Sequence, residues 1–302
     1  MKIKKAVFPV AGFGTRFLPA TKATPKEMLP VVDKPIIQYA VEEAAAAGIE
    51  EFIFITHHAK RAIDDHFDEN HELVDALSKN NKTEFLKKIQ NIGGKHAKFT
   101  FIRQGEPKGL GHAIGCAKHV IENNESFAVI LADDLMKTEG KNVLEQMIEV
   151  AREKDTQVLG LERIDGEDIS KFGVVDPIET GKICTLKGIV EKPSFSEAPS
   201  ELAVVGRYIF NGSIFNHINN DAPGKNGEIQ ITDAILSDIA NFVGYEFALS
   251  SLLDRETQST HQFSGVSWRV ELAREEGDKS LASGDRVRVV ALHPGILVVA
   301  QA

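Results

Sequence analysis

Residues 3–35, IKKAVFPVAGFGTRFLPATKATPKEMLPVVDKP, contain the pattern that decides the fold. The apolar run over residues 4–11 ends in Gly12-Phe-Gly14, which is typical of a buried β-strand followed by a tight turn. Prolines then keep the chain extended until residue 35, where proline favours the first turn of a helix that runs to Gly48. A strand, a glycine turn and a helix in this order predict the first unit of an α/β sheet.

The alternation of strands and helices continues to about residue 155. Strands are predicted over 50–56, 99–104 and 126–132, helices over 59–67, 111–121 and 142–154, and two polar helical segments near 70–90. Strands that alternate with helices predict right-handed crossovers and a parallel sheet covered on both faces. Ligands of such sheets bind at the carboxyl ends of the strands.

Two later changes in pattern predict the domain organisation. From about residue 156 the sequence consists of short strands and turns, with a helix from residue 231 to about 240. Beyond residue 247 short apolar strands are separated by Gly, Asp and Pro, as in a small β-barrel. We therefore expect a domain over 1–247, with halves at about 1–155 and 156–247, and an all-β tail over 248–302.

Composition limits the classes of function. Apolar residues at 42% and charged residues at 26% are typical of a globular protein. The net charge of −9 repels polyanions, so no nucleic-acid partner is expected. The two cysteines are too few for a disulfide framework, and no apolar run approaches the length of a membrane span. These features favour a reducing compartment, the cytoplasm.

The glycine turn after the first strand is a candidate phosphate site. Successive N–H groups in Gly12-Phe-Gly14-Thr15-Arg16 can form an anion-binding concavity, and Arg16 can reach phosphate oxygens. An ordinary tight turn explains the same pattern. Lys22 and Lys26, in the loop that follows, are suited to stabilising a polyphosphate leaving group, although lysines in a solvated loop are the alternative.

Further candidates follow later strands. The amide of Gln104, with the glycines of residues 108–112, could read a base edge. Asp133-Asp134 is suited to Mg²⁺ or is a solvated turn, and Glu191-Lys192 is suited to a sugar phosphate or is a strand-end ion pair. The His57-His58 and Asp64–His66 group lacks convergent metal-ligand spacing. No nucleophile motif indicates a covalent intermediate.

Taken in chain order, these motifs resemble the bacterial UTP-glucose-1-phosphate uridylyltransferases over residues 3–247. The resemblance is carried by the first 45 residues together with QGEPKGLGHAI, LADD, FGVV, VEKP, GRYIF and GEIQITDAI. It implies that the phosphates of UTP contact Ala11, Gly12, Gly14, Thr15, Arg16 and Lys26. It further implies uracil contacts at Glu27, Gln104 and Gly109, Mg²⁺ at Asp133, and glucose 1-phosphate at Gly173, Glu191, Lys192 and Glu228.

The resemblance also implies the fold and the reaction. The fold is a Rossmann-like nucleotidyltransferase α/β fold with a mixed, mostly parallel sheet. An oxygen of glucose 1-phosphate attacks the α-phosphorus of UTP and expels pyrophosphate, with Arg16, Lys26 and Lys192 as the catalytic cations and Mg²⁺ as the cofactor. The family's usual assembly is a homo-oligomer.

The tail departs from the family. After residue 247 the family continues into F-x-G-x-R-[YF]-D-x-G, whose Asp is a second metal ligand, whereas neither Asp254 nor Glu256 is followed by the expected glycine here. The last 45 or so residues instead resemble the small OB-type barrel of NfeD-type proteins. Two alternatives therefore stay open: an enzyme that uses dTTP, and a protein that binds nucleotide sugars with impaired turnover.

Overall fold

The chain folds into two compact units. The computed structural model describes residues 1–90, 92–179, 181–220, 224, 227–242, 246–254, 259–263, 266–273, 276, 279–293 and 296–301. The N-terminal unit comprises Lys2–Ile148 and Gly206–Gly212, and the C-terminal unit comprises Glu149–Val205 and Ser213–Ala302.

The helices and strands lie close to the predicted ranges. The strands are β1 Ile3–Pro9, β2 Pro30–Val31, β3 Lys34–Pro35, β4 Glu51–Thr56, β5 Lys98–Arg103, β6 Ser126–Ile130, β7 Val158–Arg163, β8 Gly173–Pro177, β9 Leu186–Glu191, β10 Leu202–Asn211, β11 Glu246–Ala248, β12 Ser259–Phe263, β13 Val266–Leu272, β14 Arg286–His293 and β15 Ile296–Gln301. The α-helices are α1 Ile36–Ala46, α2 Arg61–Phe67, α3 His71–Lys79, α4 Thr83–Ile89, α5 Leu110–Gly115, α6 Val143–Lys154 and α7 Ile231–Phe242. Short 3₁₀ turns include Thr15–Phe17, Lys26–Met28, His58–Lys60 and Cys116–His119.

The N-terminal unit is built on a mostly parallel sheet. Its strands β5, β4, β1 and β6 lie side by side in parallel, and β6 pairs in antiparallel register with residues 207–211 of β10. Rings of Phe8, Phe52 and Phe54 stack in the core of this sheet. Because the strands are buried on both faces, their sequences are continuous apolar runs. The predicted mixed, mostly parallel α/β sheet is confirmed.

One edge of this sheet carries the polar turns. The carboxyl ends of the parallel strands β1, β4, β5 and β6 lead into the glycine turn, His57, Gln104 and residues 131–134, respectively. Parallel strands end at the same edge, so the fold gathers segments that are far apart in the sequence. This gathering positions the candidate nucleotide site.

The C-terminal unit contains two antiparallel structures. Strands β8 and β9 pair along their length, and α7 packs against β9. Five later strands form a separate sheet in the order β11-β14-β15-β13-β12, in which only β13 and β15 are parallel. The sheet has its own buried apolar core: Leu249, Leu253, Val270, Leu281, Val287, Val289 and Val299. The expected all-β piece is thus confirmed, while barrel closure stays a prediction.

The unit boundaries differ from the expected divisions at 155 and 247. Residues 206–212 belong to the N-terminal unit because the second half of β10 pairs with β6. The expected start of the tail falls inside β11, whose three residues already belong to the five-stranded sheet. None of the helices in the part of the chain that the structure describes combines the length and apolar character that crossing a bilayer requires.

Adjacent leucines test the core of the five-stranded sheet. Leu253 is fully buried and exchanges two backbone hydrogen bonds of 2.9 Å with Leu281, whereas Leu252 is 44% exposed. We expect Leu253→Ala to destabilise this sheet by about 2–5 kcal/mol, since it leaves a cavity. The matched Leu252→Ala control should change stability by less than about 0.5 kcal/mol. Urea unfolding followed by fluorescence of Trp268 in β13, the chain's single tryptophan, measures both, and equal midpoints would contradict this core.

Candidate functional site

The turn after β1 packs against the side chain of Lys26. Gly14 has a φ of +66°, and a Cβ added there would lie 3.0 Å from the Cβ of Lys26, so the position requires glycine. A Cβ added at Gly12 would meet nothing within 4 Å, which leaves open space beside the backbone. The Thr21 hydroxyl donates a 2.7 Å hydrogen bond to the Gly14 carbonyl. The turn is therefore braced on one side and open on the other.

Lys26 connects the glycine turn to the end of β6. Its Nζ lies 2.5 Å from Oδ2 of Asp133, which is 107 residues away in sequence. The Asp133 side chain is 41% exposed and that of Lys26 is 22% exposed, so both groups are accessible to a ligand. The structure thus brings together Gly14, Lys26 and Asp133. Thr15 and Arg16 lie exposed in the adjoining 3₁₀ turn, and Ala11 is buried at its start.

A buried ion pair lies directly beside Lys26. Both carboxylate oxygens of Glu27 accept from Nζ of Lys60, at 2.9 and 2.7 Å, and both side chains are almost fully buried. Burial raises the pKa of Glu27 and lowers the pKa of Lys60, and the mutual attraction opposes both shifts. The predicted contact of Glu27 with uracil stays a prediction, because its carboxylate is engaged by Lys60.

The candidate base-reading amide is held by a histidine. Gln104 is buried, and its Nε2 lies 2.7 Å from Nδ1 of His112 and 3.4 Å from the carbonyl oxygen of Gly109. Burial lowers the pKa of His112, with a smaller lowering from Lys108 and an opposing effect of Glu106, so the neutral ring can accept at Nδ1. In this orientation the amide NH₂ faces His112, and Oε1 is the atom that can accept from the N–H of a pyrimidine.

The C-terminal unit gathers the predicted sugar-phosphate residues around the end of β9. Glu191 Oε1 lies 3.1 Å from Nζ of Lys192, and Glu191 Oε2 accepts from the Thr232 hydroxyl at 3.1 Å. Gly173 faces the same group, because a Cβ there would lie 2.9 Å from Cγ2 of Thr232. Lys192 has a φ of +44°, a strained value for a residue with a side chain. Strain of this kind is typical of functional positions.

Two residues of α7 extend this group beyond the sequence prediction. Thr232 holds the carboxylate of Glu191, and the pKa of the neighbouring Asp233 is raised by burial and then by the negative charge of Glu191. The motif GEIQITDAI contained both, but nothing in its spacing assigned them a role. The predicted residue Glu228 is exposed and accepts a 2.9 Å hydrogen bond from the Gln230 amide.

Asp133 offers a hard oxygen ligand for a divalent cation. Among the described residues, His, Cys, Asp and Glu side chains form no cluster of three or more. Mg²⁺ is commonly held by one or two carboxylates together with water and substrate phosphates, so a partly exposed Asp133 beside the glycine turn fits that chemistry. Of the two tail carboxylates compared with the family motif, Asp254 lies next to the buried Leu253, and Glu256 lies outside the described residues.

Removing the lysine of this buried pair should lower stability more than removing the lysine of an exposed pair. Lys60→Met leaves the Glu27 carboxylate buried without its cation, which should cost about 3–5 kcal/mol at pH 7. The pKa of Glu27, already raised, would rise further, so the loss should shrink as the pH falls and Glu27 takes up a proton. The control, Lys87→Met in an ion pair with more than two thirds of each side chain exposed, should cost at most about 1 kcal/mol. Urea unfolding at two pH values distinguishes them; a pH-independent loss would contradict the buried pair.

Comparison with known proteins shows the family of the chain. The profile of the nucleotidyl transferase family matches residues 5–248. The UTP–glucose-1-phosphate uridylyltransferase of Bacillus subtilis (strain 168) is 46% identical over 249 residues, which cover 82% of this chain and 84% of that protein.

Solved structures give the same picture. A UDP-glucose pyrophosphorylase complexed with UDP-glucose is 46% identical with a TM-score of 0.71, covering 80% of this chain and 88% of its own. A UTP-bound UGPase from Acinetobacter baumannii is 42% identical with a TM-score of 0.72, covering 78% and 82% of the two chains. The protein described here therefore belongs to the nucleotidyl transferase family, among the UTP–glucose-1-phosphate uridylyltransferases.

Proposed function

We propose that this protein transfers the uridylyl group of UTP to glucose 1-phosphate, giving UDP-glucose and pyrophosphate. The observation that carries the proposal is the contact of Gly14 with Lys26 and of Lys26 with Asp133 at one edge of the sheet. It joins a turn with open space beside its backbone, a cation and a carboxylate suited to Mg²⁺. The relatives whose structures hold UTP and UDP-glucose support the same substrates.

The reaction requires charge neutralisation more than covalent chemistry. An oxygen of glucose 1-phosphate forms a bond to the α-phosphorus of UTP, the bond to the bridging oxygen of the β-phosphate breaks, and the electron pair leaves with pyrophosphate. The backbone N–H groups of the glycine turn bind the phosphates, and Arg16 and Lys26 offset the charge that accumulates on the leaving group. Lys192 pairs with the phosphate of glucose 1-phosphate. The carboxylate of Glu191 accepts hydrogen bonds from the hydroxyls of the sugar.

Asp133 would hold Mg²⁺, which supplies further charge neutralisation on the phosphates when it is bound. In this structure Lys26 is paired with the Asp133 carboxylate. Lys26 becomes available to phosphate oxygens when that carboxylate pairs with a cation instead. Gly12 and Gly14 contribute only backbone groups, and the open space beside Gly12 leaves room for a phosphate.

The base is read by Gln104 and the backbone at Gly109. With its NH₂ directed to His112, the Gln104 amide presents its oxygen to the N3–H of uracil. Thymine offers the same N3–H, so this contact selects pyrimidines with an imide group and does not separate UTP from dTTP. Turnover of dTTP, measured beside that of UTP, distinguishes the two enzymes.

The reaction is expected in the cytoplasm, where UTP is available and the thiols of Cys116 and Cys184, both free here, stay reduced. The family's homo-oligomer stays a prediction for this chain.

Release of pyrophosphate from UTP, glucose 1-phosphate and Mg²⁺ tests the proposal. We expect turnover by the protein itself, a fall in kcat of about 100-fold or more for Asp133→Asn, and a similar fall for Lys26→Met, since each removes stabilisation of transition-state charge. Asp33→Asn, at an exposed carboxylate paired with Lys88, is the matched control and should stay within about twofold. Preferred turnover of dTTP identifies the thymidylyl alternative. Tight UDP-glucose binding by calorimetry without any turnover identifies the binding protein and overturns the proposed activity.

The contact between Gln104 and His112 predicts a pH dependence of UTP binding. A protonated His112 cannot accept from the amide, so KM for UTP should rise as the pH falls below about 6.5 towards the lowered pKa of this histidine. In His112→Gln a side-chain oxygen can still accept, and this additional rise should disappear. The ratio of KM at pH 5.5 to KM at pH 7.5, compared between the two proteins, cancels the titration of UTP itself. Equal ratios would contradict the role of His112.

A further inference from the structure

Arg207 in β10 is the largest of the fully buried side chains in the described part of the chain, with 1% of it exposed. It belongs to the N-terminal unit, where it pairs across the sheet with Ile130, the last residue of β6. A buried guanidinium is tolerated only when its donors are satisfied. The partners of Arg207 therefore show what the residue holds in place.

All five N–H donors of Arg207 have acceptors. Nε and Nη2 donate to the two carboxylate oxygens of Glu43 in α1, at 3.1 and 2.7 Å. Nη1 donates to the carbonyl oxygens of Leu131 and Gly206, at 3.1 and 3.0 Å, and Nη2 also donates to the carbonyl oxygen of Asp134, at 2.9 Å. The guanidinium thus links a helix to the backbone of the turn after β6.

Two of the three carbonyls that it holds, those of Leu131 and Asp134, flank Asp133 along the chain. Leu131 also donates its N–H to the Gly206 carbonyl at 2.8 Å, and Ala132 is buried. The turn is therefore fixed from its buried side, while the Asp133 carboxylate is partly exposed and in contact with Lys26. A carboxylate on a turn held in this way is already oriented before any ligand arrives.

Gly206 gives an independent sign that this turn is pressed against β10. Its φ is +31°, and a Cβ built there would lie only 2.2 Å from Oδ2 of Asp134 and 3.0 Å from its Cβ. A side chain at residue 206 would collide with the side chain of Asp134. Gly206 and Arg207 together form the surface on which residues 131–134 rest.

We propose that Arg207 is a positioning residue that orients Asp133 for the divalent cation and for Lys26. The inference deepens the proposed function and rests on it for the role of the metal. A buried ion pair is a weak source of stability compared with apolar residues of similar size. An apolar replacement cannot reproduce the hydrogen bonds that the guanidinium donates to three backbone carbonyls. Lysine lacks the planar fork needed to hold these carbonyls together.

The test uses a variant designed to stay folded. Arg207→Met leaves the carboxylate of Glu43 buried alone, so it is combined with Glu43→Leu, which replaces the whole pair by apolar side chains. We expect the double variant to stay folded with a lowered thermal midpoint, because the carbonyl oxygens of Leu131, Gly206 and Asp134 lose the donors of Arg207. Its kcat with UTP, glucose 1-phosphate and Mg²⁺ should fall about tenfold or more, with KM for glucose 1-phosphate unchanged.

Two readouts are independent of turnover. Hydrogen exchange of the ligand-free protein, followed by mass spectrometry, should be faster in the peptide that contains residues 131–134. The dissociation constant of Mn²⁺ in the presence of UTP, measured by electron paramagnetic resonance, should rise about tenfold. Arg61→Met is the matched control, at an arginine 86% exposed and paired only at 3.7 Å with Asp65, and it should change none of these quantities.

Each outcome decides the proposal. A folded double variant with wild-type exchange and wild-type Mn²⁺ affinity overturns it, even if turnover falls. If the double variant does not fold, Arg207→Lys and Gly206→Ala are measured in the same way: faster exchange of residues 131–134 with weaker Mn²⁺ binding supports the proposal, and unchanged values overturn it. A wild-type protein that releases no pyrophosphate contradicts the proposed function, whereas the exchange experiment still decides whether Arg207 holds the turn.

Discussion

The contact between the ammonium of Lys26 and the carboxylate of Asp133 is the interaction on which the N-terminal unit depends for its chemistry. A chain with a net charge of −9 that handles a triphosphate must keep its cations at one place, and a cation kept there needs a counter-ion while no ligand is bound. The pair meets both needs. It also joins the loop after β1 to the turn after β6, so two segments that are 107 residues apart in sequence are in contact.

Two buried ion pairs lie beside the residues of this contact. Glu27, next to Lys26, is held by Lys60, and the backbone around Asp133 is held by Arg207, which is held in turn by Glu43. Such pairs contribute little to stability relative to apolar packing, because both charges lose their hydration. Their effect is to fix positions. Lys60 fixes Glu27, which is next to Lys26, and Arg207 fixes the backbone on either side of Asp133. The two groups at the sheet edge are therefore positioned by residues that need not contact a ligand themselves.

Much of the fold could be predicted from the sequence because its signals are local. Continuous apolar runs marked the parallel strands, and glycines and prolines marked their ends, so β1, β4, β5 and β6 lie within a residue or two of expectation. The supporting charges could not be found in this way. Lys60 follows two histidines in an unremarkable polar stretch, and Arg207 interrupts an apolar strand without a partner near it in sequence. Their partners, Glu27 and Glu43, are 33 and 164 residues away, and only the three-dimensional fold makes them neighbours.

The five-stranded sheet has an assembly order built into its topology. Its central strand, β15, is the last of the five along the chain and lies between β14 and β13, so neither neighbour has its full set of backbone partners until residues 296–301 arrive. Before β15 is synthesised, β11 to β14 can form only two separate pairs, β11-β14 and β12-β13. The open edges of these pairs are prone to mispairing with other chains. This sheet therefore depends on β15, the last of its strands along the chain, for cooperative closure.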